Sequence, residues 1–354
     1  MKLQWKLLVC AVALSVSELS YGAYTFQRGR FVDVCEAATM SPQEHYAAAA
    51  EAFNCRNWEE AALHFSIITV NFPSTVYGQD AYCYLGISYY YLQEYDYAND
   101  ALTNYLKTQS NPKFFQECIE YKFAIAQRLA CGAKRRFFGT KQFPKWACGK
   151  AMALEIYDEV IVAVPCSEIA AQALIAKGIL YWSDREYRCA VDAFQLLIRR
   201  FPKHELAPEC YLYISKVYLE QSHYEFQNPD ILAFAEINYQ RFEKNFPREE
   251  RLCEIKADLM EIKEVYASGL YETGQFYERV HKPRAAVIYY HDAIHQFPDT
   301  CVADLCRQRL DCLDPNYVKF CLEPIIDEKT VDELTSESAD EETKEDQGEK
   351  EDSE

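Results

Sequence analysis

A recurring spacing of alanine, aromatic and proline residues constrains the fold of this chain more than any other feature. Five prolines each end a stretch of helical character: Pro73, Pro165, Pro202, Pro247 and Pro298. Twelve residues before each proline lies an alanine: Ala61, Ala153, Ala190, Ala235 and Ala286. Eight residues before each lies an aromatic residue: Phe65, Tyr157, Phe194, Tyr239 and Tyr290. Since residues four apart share a helix face and proline ends a helix, each stretch predicts a helix with one packed face.

Two of these stretches carry a longer pattern that predicts a pair of helices. Gly178 and Tyr181 lie 24 and 21 residues before Pro202, and Gly274 and Tyr277 lie at the same distances before Pro298. This order of residues resembles the tetratricopeptide repeat, a helix–turn–helix unit of about 34 residues. Its small residues let helices A and B approach closely, and its aromatic residue fills the space between them. We therefore predict an all-α fold, a tetratricopeptide-repeat superhelix of about five to six helix pairs, with no sheet between residues 42 and 313.

Composition divides the chain into four segments. Residues 1–23 combine two lysines, an apolar run and small residues before Ala23, which is typical of a signal peptide, although a buried first helix is the alternative. Residues 24–41 are a connecting segment. Residues 42–313 are the predicted solenoid, with an N-terminal half at 42–165 and a C-terminal half at 166–313. Residues 314–354 form an acidic tail, in which residues 327–354 hold 14 acidic and 3 basic side chains, and this predicts disorder.

Two repeats depart from the regular length. In the third, a basic and aromatic insertion at residues 132–149, containing Phe137-Phe138-Gly139, separates helix A from helix B. In the fifth, residues 222–230 add length, and Asn228 is the predicted N-cap of the second helix. A long helix is expected from about Glu249, and residues 301–313 are expected to form a capping helix.

The sequence contains no pattern typical of catalysis. His291 and His295 lie four apart on a predicted helix, but we expect them to be solvated histidines rather than metal ligands. The net charge of −18 argues against nucleic acid as a partner. We therefore predict a protein that is not an enzyme and has no cofactor and no metal.

Cysteine is abundant, with 15 residues in the chain. In an exported protein disulfides are permitted, and the cluster Cys301, Cys306, Cys312 and Cys321 is the predicted place for them. Cysteines within helices, such as Cys83, Cys189 and Cys210, are interpreted as small buried apolar residues.

The predicted activity is peptide binding in a groove lined by the A helices. Positions outside the packing register of the first two repeats supply the candidate residues: Tyr46, Phe53, Asn54, Asp80, Ile87, Tyr90 and Tyr91. Aromatic anchors accompanied by a few polar groups are typical of such sites. For each tyrosine the alternative is packing against the neighbouring repeat.

The order of features also resembles the BamD family, tetratricopeptide lipoproteins of the outer-membrane β-barrel assembly machinery (the BAM complex). The resemblance lies in residues 44–47, 57–61, 72–77, 89–91, 137–139 and 270–279, and it continues through Ala285-Ala286 to residues 297–300. It implies a scaffold in the periplasm, at the inner face of the outer membrane. The N-terminal repeats would receive segments of unfolded outer-membrane proteins. The C-terminal repeats would hold the periplasmic domains of the barrel subunit, with Arg279 and Arg284 as candidate contacts.

Membrane attachment and the exact role are left open. The resemblance implies lipidation of a cysteine, for which Cys10 is the candidate, but Val9 before it departs from the family's small residue. Lipid-anchored or peripheral association and simple secretion are both compatible with the leader. The alternative functions are a periplasmic tetratricopeptide adaptor for cell-envelope processes and a tetratricopeptide chaperone for secreted proteins.

Overall fold

The computed structural model describes residues 24–27, 30–33, 37–109, 111–136, 144–225 and 228–312. The predicted signal peptide with Cys10, the Phe137-Phe138-Gly139 motif and the acidic tail lie outside these residues. Within the described part there are thirteen α-helices and two short antiparallel hairpins. The chain divides into two compact units, residues 1–214 and 215–354.

The first unit begins with a hairpin and continues with helix pairs. Strand β1 (Tyr24–Gln27) pairs with β2 (Arg30–Asp33) within the predicted connecting segment. The helices that follow are α1 (Pro42–Asn54), α2 (Trp58–Asn71), α3 (Val76–Tyr91), α4 (Tyr95–Thr108), α5 (Phe115–Ala130), α6 (Lys150–Ala163), α7 (Glu168–Ser183) and α8 (Tyr187–Arg200). Strands β3 (Lys134–Arg136) and β4 (Lys145–Cys148) lie between α5 and α6. Helices pack in the pairs α1–α2, α3–α4, α5–α6 and α7–α8, as the repeat spacing predicts.

The second unit contains the later helices. Helix α9 (Leu206–Tyr224) begins in the first unit and ends in the second. It is followed by α10 (Pro229–Asn245), α11 (Leu252–Arg279), α12 (Pro283–Gln296) and α13 (Cys301–Asp311). The 28-residue α11 packs against both α10 and α12, and α13 covers α12. The predicted long helix, the Asn228 cap and the capping helix are confirmed.

The alanine–aromatic spacing forms the core of four helix pairs. Ala61, Ala153, Ala190 and Ala286 are fully buried, and so are their aromatic partners Phe65, Tyr157, Phe194 and Tyr290. The fifth match is different. Tyr239 on α10 is half-buried and its hydroxyl donates to Glu243 over 3.1 Å, whereas Phe242 is fully buried. The buried face of α10 is therefore rotated relative to the other B helices, and the prediction for Tyr239 is wrong.

The A helices begin and end in a repeated way. Three of them and the capping helix α13 start at a Ser or Thr whose hydroxyl accepts from the helix backbone: Ser41, Thr75, Ser167 and Thr300. Four A helices are followed, two positions after their last residue, by a non-glycine residue with φ between 56° and 62°: Arg56, Gln93, Arg185 and His281. The backbone N–H of the residue that follows then donates to a carbonyl of the last helical turn; for example, Asn57 N–H donates to the Ala52 carbonyl over 2.9 Å. This left-handed closure turns the chain sharply into helix B.

The hairpin of β3 and β4 corrects the prediction that residues 42–313 contain no sheet. Lys134 pairs with Cys148, and Arg135 pairs with Ala147. Gly132, with φ of 99°, takes the left-handed position that closes α5. The chain then leaves the helix pair before α6 begins, and two extended stretches satisfy each other's backbone hydrogen bonds. The helical spacing that predicted the repeats carries no information about such an insertion.

Candidate peptide-binding cleft

Three successive A helices of the first unit line an open cleft of about 520 Å³. Helix α3 contributes one side through Tyr90, α5 forms the middle, and α7 forms the other side. The lining residues are Tyr90, Ala124, Gln127, Arg128, Ala130, Cys131, Tyr157, Ala176, Ile179, Leu180 and Ser183. The cleft lies on the face where consecutive A helices of a repeat protein present their side chains to a ligand.

The chemistry of the cleft is apolar at the bottom and polar at the rim. Alanines of α5 and α7 keep the floor open, and Leu180 and Tyr157 close it from below with exposures of 5% and 1%. Burial raises the pKa of Tyr157 to about 12, so its phenol stays neutral. Ile179 on the wall is 40% exposed. An apolar floor with a few polar groups at the edge is the usual composition of a binding site for an apolar ligand.

An aromatic ladder, which we define as Trp58, Tyr91, Tyr90 and Tyr121, continues from the cleft towards the first repeat. Trp58 of α2 stacks on Tyr91 of α3 with ring centroids 4.3 Å apart and planes 12° apart. Tyr121 of α5 lies edge-on to Tyr90 at 5.4 Å, and its hydroxyl is 3.4 Å from that of Tyr91. Tyr91 is 47% exposed. The ladder therefore presents accessible rings that are already ordered by their neighbours.

Charge at this surface comes from Arg128. A hydrogen bond from this guanidinium to Tyr90 raises the pKa of Arg128, which is exposed on the last turn of α5. The arginine thus stays cationic beside the apolar floor. A cation at the rim of an apolar cleft favours a ligand that combines apolar side chains with a carboxylate.

The structure separates the seven predicted groove residues into two sets. Tyr90 and Tyr91 are part of the ladder, while Asn54 is exposed and Asp80 half-buried on the A helices. The prediction is wrong for Ile87, which is 2% exposed. Tyr46 and Phe53 are half-buried and pack against the core of the first helix pair, which was the alternative to a groove position. Tyr46 lies 5.9 Å from Phe65, and Phe53 lies 5.4 Å from Tyr84, between ring centroids. Both rings contact Phe65, a buried residue of the same core cluster.

Sequence reasoning missed the half of the cleft that the third and fourth repeats supply. Ile179, Tyr157 and Arg128 were not predicted as site residues, although Tyr157 was predicted as a core position. Ile179 directly follows the close-packing glycine Gly178 on helix A of the fourth repeat. Extending the register used for the first two repeats to this helix would have identified it.

The β3–β4 hairpin is fixed to the turn between α3 and α4. Arg136 binds Glu94 through two nitrogens, at 2.8 and 2.6 Å, and Lys145 reaches the same carboxylate at 3.1 Å. Arg135 pairs with Asp96 at 2.7 Å. Burial opposes ionisation of Glu94, but the hydrogen bonds from Arg136 and Lys145 hold the pKa of Glu94 below its usual value. The basic insertion is thus clamped to acidic residues of the second repeat, and it carries Trp146 at 76% exposure.

The predicted partner residues Arg279 and Arg284 lie in the second unit, at the turn between α11 and α12, and both are exposed. Exposed apolar side chains accompany them. Phe276 precedes Arg279 by one helical turn and is 53% exposed, while Ile288 follows Arg284 by one turn and is 47% exposed. We refer to Phe276, Arg279, Arg284 and Ile288 as the α11–α12 surface. It combines cations with apolar area, the composition of a protein contact.

Comparisons with known proteins give only distant likenesses. No protein-family model matches the chain, and no curated protein matches it. Among solved structures, a tetratricopeptide-repeat protein of Bacteroides fragilis has 11% identity and a TM-score of 0.38, covering 77% of this chain and 99% of its own. MamA of Desulfovibrio magneticus has 14% identity and a TM-score of 0.33, with coverages of 60% and 99%. PilW, a type IV pilus biogenesis factor, has 13% identity and a TM-score of 0.26, with coverages of 76% and 99%.

Identities and TM-scores this low support neither a fold nor a function, so the fold is assigned from the helix pairs of the chain itself. Those pairs are tetratricopeptide repeats: buried alanine and aromatic positions, glycines at helix contacts and closing prolines all occur at the repeat spacing. Across the described residues no helix is long and apolar enough to cross a membrane. The same residues contain no group of three or more His, Cys, Asp or Glu that could hold a metal ion.

Proposed function

We propose that this protein is a non-enzymatic scaffold that binds extended apolar segments of other proteins in the α3–α5–α7 cleft. The observation that carries the proposal is the open apolar cleft between three consecutive A helices, continued by the aromatic ladder. Ordered aromatic rings bind apolar side chains without a large entropic cost, because few torsions remain to be fixed. The cation of Arg128 at the rim adds affinity for a carboxylate.

We further propose that these segments belong to unfolded outer-membrane proteins and that the protein works in the periplasm, at the inner face of the outer membrane. The support is the resemblance to the BamD family, together with a cleft suited to segments rich in aromatic residues. In this proposal the α11–α12 surface holds the periplasmic domains of a β-barrel assembly subunit. The two binding surfaces then lie in different units of the chain, so one protein receives a substrate and contacts a partner.

The cleft is tested with a matched pair of variants. Ile179→Glu places a carboxylate on the cleft wall, whereas Ile237→Glu places one on α10; the two isoleucines are 40% and 41% exposed. Because a bound apolar segment would bury this carboxylate without a partner, Ile179→Glu should weaken binding at least tenfold, about 1.4 kcal/mol or more. The probe is a fluorescein-labelled peptide with alternating aromatic residues and a C-terminal Phe, followed by anisotropy. Equal affinities of the two variants would contradict peptide binding in this cleft.

The partner is tested by affinity isolation from membranes. The expected result is co-isolation of a β-barrel protein with periplasmic domains, which is lost with Arg279→Glu/Arg284→Glu and kept with Tyr90→Ala/Tyr91→Ala. The reverse is expected for peptide anisotropy, because Tyr90 lines the cleft and Tyr91 belongs to the aromatic ladder beside it. Co-isolation of cell-envelope proteins without a barrel subunit would favour the periplasmic adaptor. Cell fractionation that finds the chain in the cytosol with residues 1–23 attached would favour a chaperone for secreted proteins.

A further inference from the structure

Two cysteines of different repeats meet in the interior of the first unit. Cys83 lies in the middle of α3 and Cys118 in the first half of α5, and their exposures are 1% and 0%. The Cys118 thiol donates to the Cys83 sulfur over 3.3 Å. The two residues are 35 positions apart in the chain. Among the described residues Cys210 and Cys306 are also buried, whereas Cys189, which was predicted to be buried, is exposed.

The distance between these sulfurs is close to that of a covalent link. A disulfide has a sulfur–sulfur distance of about 2.05 Å, so an approach of about 1.3 Å completes the bond. Rotation about the Cα–Cβ bond of each cysteine moves its sulfur and can supply part or all of this approach. Helices α3 and α5 already contact each other. The helix contact and the short sulfur–sulfur distance together favour a link between these two residues.

We propose that Cys83 and Cys118 form a disulfide that joins the A helices of the second and third repeats when the protein folds in an oxidising compartment. The oxidant is a second disulfide, either a small molecule such as oxidised glutathione or that of a thiol–disulfide oxidoreductase. One cysteine thiolate attacks the oxidant and releases one thiol, giving a mixed disulfide. The other cysteine thiolate then attacks the mixed disulfide, forms the Cys83–Cys118 bond and releases the second thiol. Two cysteine thiols are oxidised and one oxidant disulfide is reduced to two thiols.

The timing follows from burial. The hydrogen bond with Cys118, together with burial, raises the pKa of the Cys83 thiol well above its usual value. Since the thiolate is the nucleophile, the packed protein reacts slowly. The bond is therefore expected to form during folding, while α3 and α5 are still accessible. Once the helices have packed, either state persists.

The disulfide would stiffen the cleft. Tyr90 lies two turns after Cys83 on α3, and Tyr121 lies one turn after Cys118 on α5, so the bond would link the two helices that carry these rings of the aromatic ladder. Linking the two helices at this depth restricts the separation of the rings. Local opening of α3 and α5 should then be at least tenfold rarer in the linked protein, which amide hydrogen exchange measures.

The experiment uses the full chain in two conditions. Protein that has been reduced and unfolded in urea is refolded in a mixture of oxidised and reduced glutathione, and folded reduced protein is incubated in the same mixture. Free thiols are then alkylated in denaturant, and peptides are analysed by mass without reduction. The expected product is a joined pair of Cys83 and Cys118 peptides with two hydrogens fewer than their sum. It should form in the refolding sample, with Cys210 and Cys306 alkylated.

Matched variants exclude incidental linkage. Cys210→Ala should leave the joined pair intact, whereas Cys83→Ala should leave Cys118 fully alkylated in a chain of unchanged circular dichroism. If Cys83 and Cys118 are alkylated in both conditions, or joined to other cysteines, the proposal is wrong. Formation of the pair in the folded sample as well would support the bond but contradict the expected timing, since it would show that opening exposes both thiols.

Discussion

Replacing Gly178 with alanine tests whether the close contact between α7 and α8 limits residue size. A Cβ atom at Gly178 would lie 2.4 Å from Phe194 Cε1, 2.7 Å from Cζ and 2.8 Å from Cδ1. Carbon atoms normally approach to about 3.5–4.0 Å, so the overlap exceeds 1 Å. Phe194 is fully buried, and the ring of Tyr213 lies 5.4 Å from it, so the phenyl ring has little room to move.

Two opposing effects set the magnitude. Alanine is more favourable than glycine inside a helix by about 0.8–1.0 kcal/mol. Overpacking a core position costs about 1–3 kcal/mol. The Gly178→Ala variant should therefore lose about 1 kcal/mol of unfolding free energy. In a Phe194→Val background all three crowded ring atoms are absent, so the same change should stabilise the protein by up to about 1 kcal/mol, a coupling of about 2 kcal/mol.

The assay is urea denaturation followed by far-ultraviolet circular dichroism, with hydrogen exchange of peptides from α7 and α8. Both are needed because repeats can unfold separately. Gly132→Ala is the control. Its φ of 99° strains any side chain, but no atom lies within 4 Å of the added Cβ, so its cost should be equal in both backgrounds. If Gly178→Ala has the same effect in the native chain and in the Phe194→Val background, the glycine is not required by this contact.

Three further outcomes are expected. Replacing Arg56 or Gln93 with glycine should raise the unfolding free energy by about 1 kcal/mol each, because both residues take left-handed φ values just after an A helix. A loss of stability in urea melts would contradict this. Burial and the neighbouring His64 lower the pKa of His45 in the folded protein, so the unfolded chain takes up a proton at a higher pH than the folded protein does. The stability should therefore fall as the pH drops below about 6.5, by up to about 1.4 kcal/mol per pH unit. His45→Gln should flatten this slope, and an unchanged slope would exclude His45 as its origin. Glu94→Gln should speed chymotrypsin cleavage in the β3–β4 hairpin severalfold while changing global stability by less than about 1 kcal/mol; unchanged cleavage would show that the clamp does not hold the hairpin.

The helix pairs and their contacts follow from local sequence. Ala61 with Phe65 and Ala190 with Phe194 each lie one turn apart on one helix, so the packed face can be recognised within a few residues. Each repeat packs mainly on its neighbours, so recognising one unit predicts how the next is built. The exception, Tyr239, lies just after the lengthened segment of the fifth repeat, where the rotation of α10 depends on how the added residues pack.

The site was only half predictable, because its geometry depends on residues far apart in the chain. The periodicity of the sequence identifies which helix positions lie outside the packing positions of the repeat. Whether an aromatic ring at such a position turns inward depends on the space that other helices leave for it. Tyr46 and Phe53 fill such space in the first helix pair, whereas Tyr91 stacks outward on Trp58. The sequence by itself thus determined the repeats and their packed faces, which follow from contacts within a helical turn. The tertiary structure alone decided the cleft across α3, α5 and α7, the pairing of Arg136 with Glu94 and the meeting of Cys83 with Cys118, because each joins residues more than 30 positions apart.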